Sequence, residues 1–200
     1  MAPRRALNPS RPSTLAAILL LAGVSGCGFQ LRGAPPVSPA LQPLAVACTQ
    51  QIPETLCSSV RTQLELGEVD LQPEADAAYV LSLSEFQENR RASAITAQAA
   101  AAEYTVRRSV DVNLISADRV PVIADTRLTA SESYRYDETN VLAKRQEEEA
   151  LRIQLDDRLA QQVIFRLAPL TEARIEEIRQ AHEASKEAET EAEAETTPSP

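Results

Sequence analysis

The chain has 200 residues, with 29 Asp and Glu against 20 Lys and Arg, one histidine and no tryptophan. A net charge of -9 excludes the usual nucleic-acid binder, which presents a basic face to phosphates, and it also works against electrostatic adhesion to anionic headgroups. Five glycines, three of them between Gly23 and Gly28, leave no glycine-rich phosphate loop.

Residues 1–26 have the order of a secretory signal. Arg4, Arg5 and Arg11 come first with no acid among them, then an apolar stretch of about ten residues, then Ser25 and Gly26. The apolar run is too short for a membrane span, which needs about 20 residues. Cys27 follows Val24-Ser25-Gly26 directly, the placement of a bacterial lipoprotein signal. In that chemistry the thiol receives an S-diacylglycerol, the chain is cut before the cysteine, and the new amine is N-acylated. No other cofactor is implied. Cleavage removes three arginines and no acid, so the formal charge falls from -9 to -12. Attachment then rests on the lipid, where each buried methylene contributes about 0.8 kcal/mol and two or more chains hold stably. Gly28 stands where an aspartate would favour inner-membrane retention, so the expected address is the outer membrane, facing the periplasm.

About 174 residues remain after cleavage, one domain's worth. Residues 27–43 carry Pro35, Pro36, Pro39 and Pro43 and read as an acylated cysteine with an extended tether. Residues 42–49 alternate Leu44, Val46 and Cys48 with alanines, a short buried strand. Residues 53–66 place Leu56, Val60 and Leu64 at spacing four between Pro53 and Gly67, which are helix start and stop signals. Cys48 and Cys57 flank this strand–helix corner. An oxidising compartment favours a disulfide there, provided the Cα atoms come within roughly 4.4–6.8 Å. Two buried thiols acting as small hydrophobes are the alternative.

Three strands follow, over residues 78–87, 103–116 and 120–134. The second puts Tyr104, Val106, Val110, Val112 and Leu114 on one face, interrupted by Arg108, with Thr105, Arg107, Ser109, Asp111 and Asn113 on the other. The third repeats this, with Val122, Ala124, Leu128 and Tyr134 opposed to Asp125, Arg127, Thr129, Ser131 and Ser133. A period of two with one polar face predicts a sheet that is wet on one side. The corner at Asp118-Arg119 joins the last two strands as a long hairpin. Residues 139–167 repeat Leu151, Leu155, Leu159, Val163 and Leu167, a second helix. The element order predicts an α+β two-layer sandwich, two helices on one face of a mixed four-stranded sheet, over residues 44–168. Pro169 breaks the helix, residues 169–181 carry a short helical extension, and the acidic residues 182–200 read as a disordered tail.

Catalytic groups are sparse. The only histidine, His182, falls in the acidic tail, and Asp156-Asp157 point to different sides of a helix rather than converging on one bond. Glu147-Glu148-Glu149 reads as a solvated helical face, and no metal-ligand set appears near the cysteines. The chain reads as a binding protein, not an enzyme.

Several short motifs resemble the LPS-assembly lipoproteins, the LptE family. They are Gly26-Cys27-Gly28-Phe29-Gln30-Leu31-Arg32, Val60-Arg61-Thr62-Gln63-Leu64, Ala102-Glu103-Tyr104, Val141-Leu142-Ala143-Lys144, Gln161-Gln162 and Arg166-Leu167. Their order and spacing cover residues 27–168. The resemblance implies a domain that plugs the lumen of a large LptD-type β-barrel one-to-one, assists its assembly and helps deliver lipopolysaccharide to the outer leaflet. It also implies lipopolysaccharide contact through basic loop residues. Lys144 matches one such position, a solvated lysine near a helix start being the alternative. The family's second basic position precedes Ala-Glu-Tyr, but residues 94–102 hold no Arg or Lys, so Arg90 and Arg91 are the candidates to replace it. Two other readings compete: a periplasmic lipid or lipoprotein carrier anchored in the outer membrane, and a structural envelope lipoprotein. A carrier wants a large aromatic-lined cavity, which three phenylalanines and no tryptophan supply poorly.

Overall fold

The computed structural model of the chain describes residues 37–97 and 100–196. The expected signal segment, Cys27 and tether residues 28–36 lie outside the described residues. From Val37 onward the chain is already domain. Val37 and Leu41 are buried, and Ser38 caps one 3-10 turn, Pro39–Leu41, by accepting from the Ala40 amide at 3.3 Å. The packed unit therefore begins before the expected boundary at residue 44, because apolar side chains flanking the prolines are drawn into the core.

Strand β1, Leu44–Cys48, runs parallel to β2, Tyr79–Ile95, with Val46 beside Leu81 and Cys48 beside Leu83. Parallel neighbours need a crossover, and helix α1, Glu54–Leu66, lies within it. Strands β3, Ala101–Ser116, and β4, Pro121–Arg135, follow as antiparallel neighbours in the order β1-β2-β3-β4. Helix α2, Val141–Leu167, returns across the sheet. Leu56, Val60 and Leu64 of α1 and Leu151, Leu155, Leu159, Val163 and Leu167 of α2 are buried in one cluster with Leu81, Leu83, Val110, Val112 and Leu114 of the sheet. Each such side chain contributes about 1.5–3 kcal/mol on burial. The fold is the expected mixed sheet with two helices on one face.

One irregularity decides which side chains meet the helices. Ser84 pairs with Asp111 while Gln87 pairs with Ser109, so β2 carries an extra residue, and Glu85 adopts a φ of 49°. This β-bulge shifts the alternation by one position. Leu81 and Leu83 face the helices before it; Phe86, Glu88 and Arg90 face them after it. The strand expected over residues 78–87 thus runs on to Ile95, forming with β3 a long hairpin.

Cys48 and Cys57 are joined in a disulfide, their Cα atoms 6.3 Å apart, linking the end of β1 to the first turns of α1. Beyond Pro169, helix α3 runs from Glu172 to Thr196. Ile175 is buried and Ile178 packs against the core, so the helical extension is anchored at its start. The backbone stays helical where composition predicts disorder from residue 182. The Ala and Glu content that denies this segment a core also gives it high helix propensity.

Candidate functional site

Arg90 of β2, Tyr136 just beyond β4 and the N-terminal half of α2 line an open cavity of about 460 Å³, rimmed also by Lys144, Arg145, Glu148 and Arg152. Two of the three basic residues singled out in the sequence, Arg90 and Lys144, meet here. The third, Arg91, alternates to the opposite face of the sheet, where it lies opposite Thr105. Arg145, not singled out, joins the rim because it follows Lys144 on the helix.

Arg90 lies over three tyrosines. Its guanidinium carbon is 3.5 Å from the Tyr104 ring centroid and 6.0 Å from those of Tyr134 and Tyr136. Tyr104 stacks with Tyr134 at 6.0 Å and meets Tyr136 edge-on at 5.2 Å. The aromatic faces attract the cation while the Arg90 Nε–H donates to the Tyr134 hydroxyl at 3.0 Å and pairs with Glu148 at 3.3 Å. The Tyr134 hydroxyl in turn donates to Glu148, which also accepts from Arg152.

The pairing continues inward as a chain of alternating charges. Arg152 Nε donates to Glu88 Oε1 at 2.9 Å, and the other Glu88 oxygen accepts from Arg108 Nε at 2.8 Å. Arg108 Nη1 donates to Asp156 Oδ1 at 2.5 Å, and the Thr55 hydroxyl closes the chain on Asp156 Oδ2 at 2.5 Å. Arg108 and Asp156 are buried. Three cations face three carboxylates, and among the described residues no buried side-chain nitrogen or oxygen lacks a partner. This satisfies the condition for holding charges in a low-dielectric interior. The sequence reading treated Arg108 as an interruption and had Asp156 and Asp157 point to different sides of a helix; the meeting of Arg108 and Asp156 across the sandwich explains both positions. Glu148, read as part of a solvated face, is a half-buried hub of this network.

These contacts set the titration of the cluster. Burial pushes the Glu88 carboxyl up, but hydrogen bonds and charges from Arg108 and Arg152 outweigh it and hold the group below its ordinary value. Burial, reinforced by the hydrogen bond to Glu148 and opposed by Arg90, pushes the Tyr134 phenol up to about 12. The folded state therefore holds the Tyr134 proton more tightly than the unfolded chain, whose phenol titrates near about 10. The corresponding stability is fully present below about pH 10 and is lost as pH rises through about 12. Tyr134→Phe is expected to flatten that alkaline loss. Urea unfolding of both proteins between about pH 9 and 11.5 checks it, and parallel pH slopes would refute it.

Lys144 is likewise held, its Nζ 2.6 Å from Glu147 Oε2. The basic groups of this cavity are thus mostly neutralised in place, which makes the cluster a strut between hairpin and helix before it is anything else. Among the described residues no group of His, Cys, Asp or Glu is arranged to hold a metal ion, and no helix is long and apolar enough to cross a membrane.

A two-layer sandwich with a long hairpin, an internally paired polar cluster and a wet sheet face defines a small α+β domain. The model of the family LptE, described as lipopolysaccharide-assembly, matches residues 41–167, and the chain belongs to that family. Solved structures agree on the fold. A minor lipoprotein from Acinetobacter baumannii aligns with a TM-score of 0.54 at 25% identity, covering 63% of this chain and 90% of that one. An uncharacterized lipoprotein B from Nitrosomonas europaea aligns with a TM-score of 0.55 at 17% identity, covering 70% of this chain and 90% of the other. None of the curated proteins matches this chain.

Proposed function

We propose that this chain is the lipid-anchored plug of an outer-membrane lipopolysaccharide translocon. In this reading Cys27 carries the acyl chains and residues 28–36 lead from the membrane to the domain. The domain faces the periplasm and seats one-to-one in the lumen of an LptD-type β-barrel. It assists assembly of that barrel and helps pass lipopolysaccharide to the outer leaflet, by binding and not by catalysis. The observation that carries the reading is membership of a lipopolysaccharide-assembly family over residues 41–167.

Physical features support it. The lumen of a large membrane barrel is polar, and the outer face of this sheet is polar along its length, with Thr105, Arg107, Asp111, Asn113, Ser131 and Ser133. An acidic chain gains little from anionic headgroups, so lipid anchoring is what keeps it at the membrane, at high effective concentration relative to an integral partner. The ionic cluster fixes the hairpin to α2 and so presents a rigid body to a closed pore.

Affinity purification of the tagged, acylated chain from the envelope tests the proposal. A stoichiometric one-to-one complex with a large β-barrel that survives detergent is expected. Recovery of the chain as a lone monomer loaded with lipid would overturn the plug in favour of a carrier.

A further inference from the structure

We propose that the Cys48–Cys57 disulfide is a thiol–disulfide exchange site, which admits a small thiol at the Cys48 sulfur and releases Cys57 as the leaving group. This site stands independently of the plug reading. The two sulfurs sit in unlike surroundings. Cys48 ends β1, is partly exposed, and is followed by the exposed Thr49, Gln50 and Gln51. Cys57 is 5% exposed and is the fourth residue of α1. Exchange needs access of a thiolate to one sulfur, so the exposed sulfur is the one attacked and the buried one leaves.

The elements around the bond favour that direction. β1 is an outer strand whose bridge to Leu71 stops at Leu44, and among the described residues no strand covers its edge from Val46 to Cys48. A short edge of this kind opens locally at little cost. The Leu56 and Cys57 amides both donate to the Pro53 carbonyl, at 3.0 and 3.1 Å, and the helix start has no side-chain cap. The positive end of α1 therefore lies within one turn of the sulfur that must take up negative charge. Arg61 stands one turn further on, on the same helix face as Cys57, and its Nη2 donates to the Val46 carbonyl at 3.0 Å. Its charge thus sits between α1 and β1, and among the described residues no carboxylate lies within ion-pair distance of it. Burial alone penalises a Cys57 thiolate; the helix end and Arg61 both oppose that penalty. An open cavity of about 440 Å³, lined by Val46, Arg61, Leu71 and Pro73, runs along this edge and has the size of a small-ligand site.

In the first step a thiolate attacks the Cys48 sulfur and a new S–S bond forms there. The Cys48–Cys57 bond breaks, its electron pair passes to Cys57, and solvent supplies the proton that Cys57 then takes up. A second thiolate attacks the small thiol's sulfur in the mixed disulfide and releases Cys48. Two small thiols are thereby oxidised to one disulfide as the protein pair is reduced, and the reverse sequence closes the corner again.

The test exposes the acylated full chain, in detergent and without denaturant, to 2-mercaptoethanol. That probe carries no charge of its own, since Glu65 and Glu74 also border the cavity. Acid quenching and peptide mass spectrometry locate the adduct, which is expected on Cys48 at least about tenfold over Cys57. An adduct mainly on Cys57, or equal on both, overturns the proposal. The reduction rate is expected to stay flat in urea well below the unfolding transition, as local opening requires. A rate that rises with the slope of global unfolding overturns the proposal too. Arg61→Gln is expected to slow reduction by about threefold or more, whereas loss of a merely structural arginine would loosen β1 and speed it. Arg61→Lys, which keeps the charge, is expected to react near the wild-type rate. An Arg61→Gln rate that is unchanged or faster overturns the proposal. The adduct position is read on the wild-type chain, so it decides whatever the stability of the variants.

Discussion

Asp156→Ala is expected to destabilise the fold by about 3–5 kcal/mol, a third or more of what a domain of this size typically has. The Asp156 side chain is 1% exposed and holds Arg108 Nη1 and the Thr55 hydroxyl on its two oxygens. Removing it leaves a buried guanidinium with one carboxylate, Glu88, where it had two, and leaves the hydroxyl without its acceptor. Asp156→Ala also unties three elements at once, since Thr55 belongs to α1, Arg108 to β3 and Asp156 to α2. Exchanging both charges, with Arg108→Met and Asp156→Leu, is expected to cost far less, because no uncompensated charge remains. Urea denaturation of the wild type and the two variants checks this. A loss below about 1 kcal/mol for Asp156→Ala alone would mean that water reaches the site and the pair is not buried in solution.

Joint replacement of Cys48 and Cys57 by alanine is the second large effect, with an expected loss of about 2.5 kcal/mol. The disulfide closes a loop with a sequence separation of 9, and the entropy it removes from the unfolded chain scales only with the logarithm of loop length. It matters here because β1 is a five-residue edge strand, tied to the sheet on one side by β2. The neighbouring bridge from Leu44 to Leu71 covers only part of its other side. A reductant is expected to lower the wild-type urea midpoint to that of the double variant and to leave the variant unmoved. A wild-type midpoint insensitive to complete reduction would show that the corner is held by packing alone.

The helices were legible because their chemistry is local. Leu151, Leu155, Leu159, Val163 and Leu167 recur at the helical period, and all five are buried. The same holds for Leu56, Val60 and Leu64 between a proline and a glycine. Strand β3 and the part of β4 after Asp125 were legible from their period of two; at Asp125, with a φ of 44°, an extra residue shifts the register and leaves Ala124, expected on the buried face, exposed. Strand β2 was legible only to about its bulge, for two physical reasons: the extra residue at Glu85 breaks the alternation, and the inward positions beyond it are Glu88 and Arg90. Charged residues at buried positions signal a core only when their partners are known. Those partners are remote, with Glu88 meeting Arg152 at a separation of 64 residues and Arg108 meeting Asp156 at 48.

The sequence by itself determined the order of the elements, the faces of β3 and of β4 beyond its bulge, both core helices and the family. Each of these depends on residues a few positions apart or on short motifs in order. Tertiary structure alone decided which charges are spent and which are available. A single inserted residue in β2 turns Arg90 toward α2, where Glu148 neutralises it, and leaves Arg91 on the open face. No local pattern records that choice, because side-chain direction after a bulge depends on register, and register is set by pairing with β3.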